Sequence, residues 1–145
     1  MAQLKITDER KTWDSTRHAL KSFDGVAVSV GLFEPEQASK GYRHEFGVGV
    51  PARPWMAPSS DGAVKPVGTV AEREVGKLID GKATAPAGML ATGQRMADAM
   101  RDYIIDGKVG GDPLTDGAKR RNPRKLIHSG TMVDSLEAKI EPEES

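Results

Sequence analysis

The chain contains no cysteine, few aromatic residues, no net charge and no long apolar run. Each shortage removes a class of function. Without cysteine there is no disulfide, no thiolate metal site and no cysteine nucleophile, which fits a reducing compartment. The 21 basic residues equal the 21 acidic ones, so overall charge gives no pull toward nucleic acid or an anionic membrane. No stretch of about 18 apolar residues exists to span a bilayer, and Met1 to Arg10 is too polar for a secretory leader. These features predict a soluble protein assembled in a cytoplasm, with no membrane partner. A hydrophobic fraction of 37%, an aromatic fraction of 5%, 16 glycines and 9 prolines in 145 residues predict one domain with a small core and long loops. Such a domain leaves apolar surface for a partner to cover.

The periodicities that are present predict an α+β fold. Leu4 and Ile6 alternate as a short strand. Thr7 or Asp8 then caps a helix on which Trp13, Arg17, Leu20 and Phe23 share a face, with Asp24-Gly25 as its stop. Val26, Val28, Val30 and Leu32 alternate with small or polar neighbours and form the clearest strand. After a polar connection over Phe33 to Lys40, open to a short helical turn, Tyr42 to Val48 reads as an extended partner for it in a hairpin. Residues Ser59 to Lys65 read as a loop. Helices follow over about Pro66 to Asp80 and Pro86 to Asp106, with Gly81 and Gly107 as their stops. The stretch Gly107 to Lys125 reads as an extended, partly basic loop. Ser129-Gly130-Thr131 turns into one helical turn, Leu136 to Ile140 is a last strand, and Glu141 to Ser145 is an acidic frayed tail. The sum is a small, mainly antiparallel sheet packed against two or three helices, in a single domain over 1–145.

No catalytic or metal set emerges from the residues. His18, His44 and His128 fall in three separate elements, whereas a zinc site needs three or four converging ligands. No strand-turn-helix serine elbow occurs, and no Gly-Lys pair carries the flanking residues of a phosphate loop. Asp98, Asp102 and Asp106 recur every four residues and read as one solvated helix face. Met89, Met96 and Met100 form a stripe suited to a core or to a subunit interface. We therefore expect no enzyme activity and no cofactor. The one charge cluster is Lys119, Arg120, Arg121, Arg124 and Lys125. It is open to three readings: a solvated loop, a contact with an acidic neighbour, or a contact with DNA phosphates without base readout.

Two segments carry a resemblance. Glu45-Phe46-Gly47, followed by Val50-Pro51-Ala52-Arg53-Pro54-Trp55-Met56, resembles the "EFG … IPARPFL" signature of the Mu-like phage virion morphogenesis and tail-completion family. Lys125-Leu126-Ile127-His128-Ser129-Gly130-Thr131-Met132 with Ser135-Leu136 is similar to that family's "PLIDTGQL…SI" ending. The chain departs from the family pattern at Lys125 for proline, His128 for aspartate, Ser129 for threonine and Trp55 for phenylalanine. The resemblance implies a non-enzymatic virion protein of the neck, forming a ring between head connector and tail. Sixfold symmetry is the expectation and twelvefold the alternative. Its implied partners are further copies of itself, portal-connector or adaptor proteins, and tail terminator, tube or sheath proteins, with non-specific contact to packaged DNA. It also implies that Phe46, Gly47, Pro51, Arg53, Pro54, Trp55, Met56, Leu126, Ile127, Ser129, Gly130 and Leu136 are scaffold or inter-subunit residues. The sheet would form the ring body, and the loops Ser59 to Lys65 and Gly107 to Lys125 would reach adjacent subunits. A nucleic-acid-binding module using the basic loop and a tail terminator capping the tube are the other readings.

Overall fold

The computed structural model describes residues 13–111 and 131–142. The predicted first strand and its cap, the motif residues Leu126, Ile127, Ser129 and Gly130, and the basic cluster Lys119, Arg120, Arg121, Arg124 and Lys125 lie outside the described residues.

A helix, α1, occupies 13–21 and ends at Gly25, whose φ of 76° suits glycine alone. Two of the residues expected to share a face on it, Trp13 and Leu20, are exposed. Strand β1, Val26–Leu32, forms where the alternation predicts it. The next element corrects the sequence reading. Pro35–Phe46 is a helix, α2, and not a polar connection followed by an extended hairpin arm. Glu34 caps it by accepting from the N–H groups of Glu36 and Gln37, and Pro35 supplies the fixed φ favoured in a first turn.

Helix α3, Met56–Ile79, starts ten residues before its expected start and carries Pro66 inside. The expected loop at Ser59 to Lys65 is thus helical, with Ser59 and Ala63 buried. Small side chains there let α3 lie close against helix α4, Ala85–Ile105. Thr84 caps α4 through the Ala87 N–H. Three helices end alike. Gly47, Gly81 and Gly107 take left-handed φ angles near 72°, and the next N–H reaches back to Arg43, Lys77 and Tyr103 carbonyls, respectively.

One helical turn, α5, Thr131–Asp134, leads into β2, Leu136–Pro142. Glu141 and Pro142, read from sequence as tail, are the last residues of this strand. β2 pairs antiparallel with β1, with Leu32 opposite Leu136 and Val28 opposite Ile140. Val28, Val30 and Ala138 lie against α4 at Gly93, where a Cβ would come 2.5 Å from Val28 Cγ2 and 3.0 Å from Ala138 Cβ. The fold is α+β, a two-stranded antiparallel sheet packed against α4, with α3 beside α4. The core gathers Trp55, Met100, Ile104, Val109, Met132, Val133 and Leu136. Among the described residues no helix is long and apolar enough to cross a membrane.

Candidate functional site

The first motif segment forms the corner between α2 and α3, and its order comes from Glu45. That carboxylate accepts from the backbone N–H groups of Trp55 (2.6 Å), Met56 (2.8 Å) and Ala57 (3.2 Å). These are unpaired donors at the start of α3, which has neither a side-chain cap of its own nor an acid in its first turn. A residue ten positions upstream therefore supplies both the cap and the negative charge. The segment Pro51–Pro54 is pinned back onto α2 by the Arg53 N–H, which donates to the His44 carbonyl at 2.7 Å.

Trp55 is fully buried, and its indole N–H donates to the Gly41 carbonyl at 3.0 Å. Gly41 makes that approach feasible, since a Cβ there would lie 2.9 Å from Trp55 Cζ2 and 2.6 Å from Leu32 Cδ1. The Arg53 side chain is buried as well. Gly47 and Gly49 take left-handed φ angles of 71° and 72°, and Gly47 caps the end of α2. On the far side, Gly111 packs its backbone on this segment, where a Cβ would collide with the Ala52 carbonyl oxygen.

The same corner holds apolar side chains outward. Tyr42 and Phe46, one turn apart on α2, have ring centroids 4.9 Å apart and are 59% and 67% exposed. Val48 and Met56 beside them are also exposed. The segment thus divides its motif residues: Trp55 and Arg53 turn inward, Phe46 and Met56 outward. Trp55 fills the core, and Met56 does not.

The second motif segment enters the described residues at Thr131. Leu136 is buried and is the first residue of β2. Its carbonyl and that of Val133 accept from Arg101, through Nη2 at 2.7 Å and Nε at 3.4 Å, while Nη1 meets Asp98 at 2.8 Å. Arg101 was not singled out by the sequence, because a lone arginine on an amphipathic helix carries no local signal.

The titratable groups are dispersed. His18 lies in an open groove of about 680 Å³ between α1 and the end of α3, with Asp14 and Asp80 also lining it. His44 sits in α2, where partial burial and then the charge of Arg53 hold its imidazole below the ordinary histidine value. Its Nδ1 has no hydrogen-bond partner among the described residues. Glu74, buried between α3 and α4, is held below the ordinary carboxylate range, first by its hydrogen bond from Lys77 at 3.1 Å and then, against the cost of burial, by the charges of Lys77 and Arg73. Among the described residues no three histidine or carboxylate side chains converge on a metal-sized site. Asp98, Asp102 and Asp106 are exposed along α4, as their spacing predicts. Met100 is in the core and Met96 packs against it. No family model matches the chain, and no curated protein or solved structure matches it.

Proposed function

We propose that this chain is a non-catalytic structural subunit of a tailed-phage neck, completing the tail as one member of a ring between head connector and tail. The observation that carries the reading is the divided α2–α3 corner. The Glu45-to-Met56 segment, on which the resemblance to the Mu-like tail-completion family rests, is fastened by three backbone hydrogen bonds to Glu45 and by the buried Trp55. That rigid corner holds Tyr42, Phe46, Val48 and Met56 out to solvent. Exposed apolar side chains grouped on a fixed corner suit a surface that another subunit covers. Glu45, Arg53 and Trp55 act as scaffold in this reading, and Phe46 and Met56 as contact residues. The basic residues from Lys119 to Lys125 are assigned to an acidic neighbour or to DNA phosphates.

Negative-stain microscopy of the purified chain, alone and mixed with the connector and tail proteins of its own particle, tests this. Closed rings in either sample are expected. Uniform monomers in both would contradict the proposal.

A further inference from the structure

We propose that His44 is an acid-operated catch on the α2–α3 corner: when its imidazole takes up a proton, the segment 51–54 lets go of α2, and the chain that follows α4 is unseated with it.

Several features meet at this histidine. Its carbonyl accepts the Arg53 N–H at 2.7 Å, the bond that pins the segment to α2. Its imidazole is half-buried, and Nδ1 is enclosed without a hydrogen-bond partner among the described residues. The Arg53 side chain is itself buried, and its charge bears on the ring.

A neutral imidazole carries one N–H, and an imidazolium carries one on each nitrogen. Protonation therefore puts a charged N–H at Nδ1, where no acceptor stands, and a second cation beside Arg53. Both effects cost free energy in the closed corner and little in water. The segment relieves them by swinging out and taking Arg53 away from the ring. It can do so at small cost. Residues 51–54 belong to no helix or strand, and its two prolines have no backbone N–H to lose.

The catch has a second end. Gly111 lies so close to this segment that a Cβ would collide with the Ala52 carbonyl oxygen. Movement of Ala52 thus frees the stretch 107–111, which leaves α4.

Other charged groups around α2 are accounted for. Lys40, one turn before His44, is paired with Glu36 at 3.1 Å. Arg43 is exposed, and the Glu45 carboxylate caps α3. Of the elements packed against α2, β1 has no titratable side chain, and α5 has only the exposed Asp134. The closed corner favours the neutral ring, so it is held fully above the ordinary histidine value of 6.5 and is released as pH falls below it.

Hydrogen exchange of the full chain tests this, read by mass spectrometry from about pH 7.5 to about pH 5 and corrected for the intrinsic pH dependence of exchange. Opening across 47–57 and 107–111 should rise together, by up to about tenfold per pH unit, while α4 keeps its protection. His44→Gln, neutral throughout, should remove that pH dependence from both stretches. Because this variant could open the corner at every pH, the wild-type imidazole is also titrated by NMR and should protonate below 6.5. A pH profile that persists in His44→Gln, or a His44 ring that titrates at or above 6.5, would overturn the proposal. So would a loss of protection spread evenly over α3 and α4, or opening of 47–57 that leaves 107–111 closed.

Discussion

At the residue scale, a few positions carry geometry that no similar side chain can supply. Gly41 lets the Trp55 indole reach a helix carbonyl, and Ala there meets both Leu32 and Trp55. Gly41→Ala should therefore destabilise the fold by about 1–3 kcal/mol, despite the helix propensity it gains, worth about 1 kcal/mol. Gly76→Ala, where a Cβ meets nothing within 4 Å, should stabilise by about 0.5–1 kcal/mol. Urea denaturation of the two variants separates packing from propensity. Acid should weaken the fold in a set order. His44 and Glu74 both bind protons less readily folded than unfolded. Their stabilisation is complete above the ordinary values of 6.5 and 4.5, and is lost as pH falls through the lower folded values. Denaturation midpoints measured from neutral pH to about pH 4 should fall, and Glu74→Gln should flatten the acidic part of that decline.

At the scale of elements, Arg101 is the fastening between α4 and the corner where α5 becomes β2. Its guanidinium holds two carbonyls that would otherwise lack those donors. Arg101→Ala should cost about 2–3 kcal/mol and raise hydrogen-exchange rates across Leu136–Pro142 before it affects α3. This element also shows what sequence reasoning reaches. β1, α4, the α5 turn and β2 follow from local alternation, caps and stop glycines, all of which act over a few residues. Alternation over Tyr42 to Val48 favours a strand locally, but the Glu34-Pro35 cap starts a helix that runs through to Phe46. The first part of α3 was hidden for a different reason. Ser59, Asp61 and Gly62 favour a loop locally, and helix wins there because Ser59 and Ala63 are small enough to be buried where the helix starts. The Glu45 cap of α3 and the pairing of β1 with β2 join residues distant along the chain, so no local pattern announces them. Of the candidate site, the motif residues and the acidic face were visible in sequence. The division into inward Trp55 and outward Phe46 was not, since it depends on how α2 and α3 meet.

At the scale of the whole molecule, the described residues hold a sheet of two strands. Two strands alone are marginal, and here α4 covers one face. The other face carries Ser29 hydrogen-bonded to Glu141, and Lys139 between Glu137 and the Phe33 ring. It is polar. The Tyr42, Phe46, Val48 and Met56 side chains are exposed together at the α2–α3 corner, so a subunit contact is predicted there. Mass photometry of the full chain over a concentration series measures this most directly. A ring subunit should give a narrow peak at six or twelve times the 15.6 kDa protomer mass, broken down to protomers by Phe46→Ser. A single protomer-mass peak at all concentrations, unchanged when connector and tail proteins are added, would contradict it.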